Sequence, residues 1–238
     1  WAVSPQIAPV YYNSLNGGSS IDPMFADNSQ SGDVNVSYGI QVSYKINQRL
    51  SVRSGVNNVN VSYTTGGLEL ANSPESAALS AIDHNGMGRV LTAFDKGTVS
   101  NIGPSDANFG QITPKAGGSD AEMNQQIRYY ELPLELKYAL LDRKIGIHFI
   151  GGLSTLFLGD NEVSVRSGSV DQVIGQANNL NDISFSTNIG LGFDYKLSQK
   201  FTFNLEPMFK YQLNTYTDSS VDFSPYTMGV YTGLSFRF

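Results

Sequence analysis

The sequence predicts an all-β fold, an eight-stranded antiparallel up-and-down transmembrane β-barrel with one long extracellular loop. Three observations predict it. Apolar and polar residues alternate with period two over most of the chain, and helical periodicity is scarce. Tight turns alternate with long connections, the rhythm of a barrel with short periplasmic turns and longer external loops. The polar face of the strands is mostly Ser, Gly and Asn with a few ions, while the apolar face is long-chained and aromatic. A soluble barrel would have the reverse arrangement, so the pattern reads as inside-out.

Eight strands are expected, over about 2–13, 33–47, 49–64, 125–141, 144–159, 182–197, 200–217 and 224–238. The second alternates Val34, Val36, Tyr38, Ile40, Val42 and Tyr44 with small polar residues ending in Lys45. The fourth, RYYELPLELKYAL over 128–140, sets Tyr130, Leu132, Leu134, Leu136 and Tyr138 towards lipid and Tyr129, Glu131, Glu135 and Lys137 inwards. Pro133 lies within it, and its missing N–H calls for a bulge or a water in a closed barrel. The sixth and seventh set Ile183, Phe185, Phe193, Phe203 and Leu205 outwards, and the eighth ends on Phe238. Short connections are INQR (46–49), LDRK (141–144) and LSQK (197–200). Long ones cover 14–32, 65–124 and 165–181, with a shorter fourth near 218–223. Tyrosines near strand ends (Tyr11, Tyr44, Tyr63, Tyr138, Tyr195, Tyr226) read as interfacial girdles, with Trp1 beside the periplasmic one.

The whole chain, 1–238, reads as a single barrel domain. Within the loop of about 65–124, Ser73-Pro74-Glu75 resembles a helix start leading into SAALSAI, and Val90, Leu91, Phe94 and Phe109 read as apolar anchors. The loop is either a variable external segment or a surface that meets other outer-membrane proteins.

Composition narrows the function. The net charge is −6 and no basic stripe is present, which excludes nucleic acid as a partner. Charged residues are 15% of the chain, against ~25% in an ordinary soluble protein. Cysteine is absent, which removes disulfides, thiolate metal sites and a cysteine nucleophile. No apolar run reaches the ~18–20 residues of a transmembrane helix. The start WAVSPQIAPVYY carries no signal peptide, so either a signal has been removed or Trp1 opens a domain of a longer chain. No catalytic, cofactor or metal residues are expected. His84, in AIDHNGMG, neighbours Asp83 without an oriented nucleophile, and His148 reads as a lumen side chain. GDNE (159–162) lacks the ligand spacing of a calcium loop.

The inward phase of the strands collects Lys45, Arg53, Glu131, Glu135, Lys137, His148, Asp194, Lys196, Glu206, Lys210 and Arg237. Isolated ions in a narrow lumen are costly, so these are expected to pair into a polar network that fills the barrel. The other reading is a narrow channel or proton relay.

RYYELPLELKYAL resembles the strand signature of Bacteroidota outer-membrane β-barrel proteins, followed as in that family by a glycine-rich strand, here GIHFIGGLSTLFLG. Leu132 and Glu135 are the two positions at which this stretch departs from that signature. The N-terminal stretch, from WAVSPQIAPVYY to KINQRLSVRSGVN, is similar to the C-terminal barrel of dual-membrane-spanning anti-sigma factors. That resemblance implies a bacterial outer-membrane anchor or sensor module for envelope-stress signalling, without enzymatic activity. Its partners would be outer-membrane lipid and lipopolysaccharide, with a cytoplasmic sigma factor reached only through sequence upstream of Trp1. The alternative is a free-standing small barrel, acting as an adhesin, a structural protein or a subunit of a larger complex.

Overall fold

The computed structural model describes residues 1–84, 88–103, 106, 110–217 and 223–238, with backbone alone over 116–119. Among them run β1 (Ala2–Ser14), β2 (Gln30–Gly32), β3 (Val34–Lys45), β4 (Leu50–Pro74), β5 (Ile82–His84) and β6 (Arg89–Asp95). They are followed by β7 (Thr113–Asp142), β8 (Ile145–Ser167), β9 (Val170–Ala177), β10 (Ile183–Lys196), β11 (Phe201–Leu213) and β12 (Pro225–Arg237). Eight of these close a ring in the order β1, β3, β4, β7, β8, β10, β11, β12 and back to β1, every pair antiparallel. Closure leaves no free edge at membrane depth, where an unpaired backbone group would meet hydrocarbon.

The outward face carries an apolar band. On β7 it runs from Tyr130 to Tyr138, and the same level of β3, β8, β10 and β11 exposes Ile40, Leu153, Ile189 and Leu205. That height matches the ~9–11 residues a tilted strand needs to cross a bilayer. Trp1 packs on Tyr44 with ring centroids 4.9 Å apart, at the short-turn edge of the band.

Beyond the band the strands do not stop. β4, β7 and β8 continue upward, and the polarity of their faces inverts. On β4 the inward phase passes from Arg53 and Asn57 to Val59, Val61 and Tyr63, all buried. On β7 it passes from Glu135 and Glu131 to Tyr129, Ile127 and Met123, while Arg128, Gln126 and Glu122 face out. The β7–β8 register shifts at this level: Arg128 pairs with Asp160 and Tyr129 with Leu158, so Gly159 is the extra residue. A side chain at Gly159 would strike the Tyr130 ring at 2.7 Å. The bulge resets the phase of β8 and points Val163 and Val165 inwards. The upper part is thus an ordinary water-facing structure with an apolar inside. Tyr12, Phe25, Leu68, Leu70, Tyr129 and Val163 form its core.

Several expectations change here. The segment 65–124 is largely strand, because the ends of β4 and β7 pair with each other and β6 pairs with β4. β9 and the end of β8 likewise fold most of 165–181, joined by β5 at the edge. No α-helix starts at Ser73-Pro74-Glu75; Glu75–Ala77 is a single 3-10 turn, Pro74 precedes it without a side-chain cap, and β5 follows. Val90, Leu91 and Phe94 are buried as anchors, whereas Phe109 lies outside the described residues. Tyr63 belongs to the upper core rather than to a girdle, since β4 carries it past the band on the inward phase. Pro133 makes no bulge. It sits in register with Ser154 of β8, and the β4–β7 register is the same on both sides of it, Ser54 with Leu134 and Asn57 with Glu131. The one absent N–H is tolerated because the ladder to β8 remains whole.

Candidate functional site in the barrel lumen

The strands deliver charged side chains to the lumen at three levels. At the top, directly under the apolar core, Lys210 Nζ bonds both oxygens of Glu131 at 2.6 and 2.7 Å. Ser154 Oγ and Asn57 Nδ2 donate to the same carboxylate at 2.7 and 3.0 Å. The Lys210 ammonium also lies 4.8 Å from the Tyr231 ring centroid. In the middle, Arg53 spans two acids, with Nε to Glu135 Oε2 at 2.7 Å and Nη1 to Glu206 Oε2 at 2.6 Å. Asn188 Nδ2 links this level to the top, donating to Glu135 Oε1 at 2.8 Å and to Ser154 Oγ at 2.7 Å. Below, Lys137 Nζ is 3.0 Å from both Glu206 Oε1 and Asp194 Oδ1. Asp194 is bonded further by His148 Nε2 at 2.7 Å and Asn204 Nδ2 at 2.7 Å.

Glu131, Glu135 and Arg53 are almost fully buried, so their charges depend on each other rather than on water. Each carboxylate has at least two donors, the condition under which a buried charge is tolerable. The hydrogen-bonded chain from His148 to Lys210 is continuous, and above it lie the buried side chains of Leu156, Tyr129 and Val59. Among the described residues, these side chains occupy the bore between the mouth and the upper core.

Lys45, Lys196 and Arg237 share the inward phase but stand at strand ends, so they are placed at the short-turn mouth. Lys45 and Lys196 both reach Asp142, at 3.3 and 2.5 Å. Arg237 and Arg49 line the same mouth, a cavity of about 100 Å³ whose floor is Lys137, His148 and Asp194. Asp142 and Arg49 belong to the site although the reading of the sequence did not include them. Their position inside the short turns was the available signal.

Local packing sets the geometry of the middle level. Gly152 stands opposite Glu135, and a Cβ there would come within 2.3 Å of the Leu134 carbonyl oxygen and 2.8 Å of Glu135 Cγ. Gly152→Val is expected to push Glu135 off Arg53 and lower stability by about 1–3 kcal/mol, the usual cost of overpacking. A urea midpoint equal to that of the unmodified barrel would show that the wall can give.

His84 lies far from this network, in β5. Burial pushes its imidazole below the usual value, against the opposing pull of the nearby Ile174 and Leu79 backbone, and no side chain pairs with the ring among the described residues. Asp83 Oδ1 instead accepts from Asn178 Nδ2 at 2.9 Å. The adjacent acid is thus turned away from the ring, and the two do not form an acid–base pair.

A family model described as "Outer membrane protein beta-barrel domain" matches residues 10–215. Among solved structures, Neisserial surface protein A is similar over 100% of this chain and 96% of its own, with 13% identity and a TM-score of 0.45. OprG from Pseudomonas aeruginosa is similar over 100% of this chain and 95% of its own, at 12% identity and a TM-score of 0.47. Ail, the attachment invasion locus protein of Yersinia pestis, is similar over 99% of this chain and 98% of its own, at 10% identity and a TM-score of 0.40. No curated protein matches the sequence.

Proposed function

The chain belongs to the outer membrane β-barrel domain family and resides in the bacterial outer membrane, and from that premise we propose that it is a non-enzymatic anchor and sensor module of an envelope-spanning signalling protein. The observation that carries the anchoring role is the filled bore. Among the described residues, ions paired at three levels and a largely apolar layer above them occupy the bore, which favours anchoring over transport. What remains for it to do happens at its two ends. The signalling role rests on the resemblance of the N-terminal stretch to barrels of anti-sigma factors. In that reading the long-loop end meets lipopolysaccharide and other outer-membrane proteins, and sequence upstream of Trp1 leads towards a sigma factor. Reading the gene upstream of Trp1 tests it: a transmembrane helix and a cytoplasmic region support the signalling role, and a cleavable signal peptide ending just before Trp1 removes it.

A second reading is favoured by the upper structure. β5, β6, β9 and the extended ends of β4, β7 and β8 project a built surface beyond the membrane. Such a surface suits a free-standing barrel that adheres or assembles with others. Both readings share one expectation. Reconstituted protein in planar bilayers gives no discrete conductance steps, and steady single-channel steps would contradict the filled bore. A closed barrel also runs faster on unboiled than on boiled SDS gels; one mobility in both lanes would contradict the closure of the ring.

A further inference from the structure

The two ends of the barrel carry opposite charge. Seven of the chain's 15 Lys and Arg lie in or beside the three short turns: Lys45, Arg49, Arg143, Lys144, Lys196, Lys200 and Arg237. Asp142 is the one acidic side chain within those turns and the strand ends beside them. At the opposite end Asp33, Glu122, Asp160, Glu162 and Asp171 outnumber Arg128 and Arg166 on one outward face of the sheet. Short turns are periplasmic in barrels of this kind, so the basic end faces the periplasm.

The basic end is also concave. Its cavity of about 100 Å³ has Lys45, Arg49, Lys196 and Arg237 on the rim and Lys137 and His148 on the floor. The floor cations are satisfied from within, by Asp194 and Glu206. On the rim, Asp142 occupies Lys45 and Lys196 together. Arg49 and Arg237 have no acidic partner within 4.0 Å among the described residues. Four rim cations therefore face one carboxylate. The cavity exceeds several-fold the ~10–15 Å³ needed for one water. Low-dielectric walls around a mouth of one sign focus its field on whatever enters.

We propose that this periplasmic mouth is a binding site for a phosphate-type oxyanion. Asp142 shows the mode of recognition, one oxyanion group clasped by two ammonium groups. The two guanidinium groups left over present planar forks of N–H donors, which suit a multidentate phosphate better than a second single carboxylate. The charge of a phosphate offsets the rim surplus, and its exposed position makes binding sensitive to salt. The phosphate can belong to a soluble phosphate compound or to the headgroup of an inner-leaflet phospholipid. The site does not depend on the signalling role proposed above.

The test uses the folded barrel in a maltoside detergent, which has no phosphate of its own, at low ionic strength. Inorganic pyrophosphate and dihexanoyl phosphatidylglycerol below its micelle concentration are titrated separately by calorimetry. Fluorescence of Trp1, the chain's single tryptophan, reports from beside the mouth-lining Ala2. At least one probe is expected to bind saturably, and Arg49→Gln with Arg237→Gln to weaken it about tenfold or more, as loss of charged hydrogen bonds implies. The pair Arg128→Gln and Arg166→Gln, at the other end, should leave binding unchanged. Binding of pyrophosphate assigns the site to a soluble phosphate; binding of the lipid alone assigns it to a headgroup. Saturable binding of neither, equal weakening by both variant pairs, or binding of polyglutamate alone would overturn the proposal. Retained gel mobility of each variant confirms that the barrel compared is folded.

Discussion

Lys210→Met is expected to destabilise the folded barrel by about 3–5 kcal/mol, the cost of leaving a buried charge without its partner. Lys210 is the only cation bonded to Glu131 among the described residues, and both groups are almost wholly inside. After the substitution the Glu131 carboxylate keeps Ser154 and Asn57 as donors, which supply hydrogen bonds but no charge. The companion variant Lys210→Met with Glu131→Gln removes both charges and retains an acceptor for Ser154 and Asn57. It should recover at least half of the loss, because an unpaired ion costs more than a neutral pair. The measurement is the urea unfolding midpoint of the barrel in lipid vesicles, with the denaturant slope checked for constancy. A double variant no more stable than the single one would mean that shape, rather than charge pairing, holds the top of the lumen.

The identity of the ions in this network was legible in the sequence, and their pairing was not. Glu131, Glu135, Lys137 and Lys210 declare their face by period two alone. That Lys210 meets Glu131, and that Arg53 bridges Glu135 and Glu206, depends on stagger between strands far apart in the chain, which alternation does not encode. Position along the strand was equally hidden. Lys45, Lys196 and Arg237 have the inward phase, yet each is the last or nearly the last residue of its strand and so reaches the mouth. The upper structure was missed for a different reason. Val59, Val61 and Tyr63 continue the strand period of Arg53 and Asn57 while exchanging polar for apolar, so two environments share one phase. Gly159 then shifts the phase on β8 by one residue, and a single glycine carries little signal of a bulge. Composition also pointed to a loop over 65–124, since Gly, Asn and Asp punctuate it, but edge pairing of β6 with β4 overrides those local preferences.

The inversion of polarity makes a prediction that no uniform barrel shares. Leu134 and Gln126 lie on the same outward face of β7, eight positions apart, which is roughly 26 Å along an extended strand. Leu134 sits in the middle of the apolar band. Leu134→Arg is therefore expected to lower stability in vesicles by about 2–4 kcal/mol, as for a cation placed near the bilayer midplane. Gln126→Arg should change it by no more than about 0.5 kcal/mol, because that position faces water. The inner face gives the reverse ordering. Ile127 is packed in the upper core, and Ile127→Asp would bury an unpaired carboxylate at a cost comparable to that of Leu134→Arg, or larger. Glu131, four residues further on the same phase, already carries that charge with partners in place. These outcomes together would place the membrane edge between Arg128 and Tyr130, at the level of the bulge. If Gln126→Arg proves as costly as Leu134→Arg, the bilayer reaches higher on β7 and the upper strands are lipid-facing. If neither costs anything, the band of Tyr130 to Tyr138 does not face lipid at all.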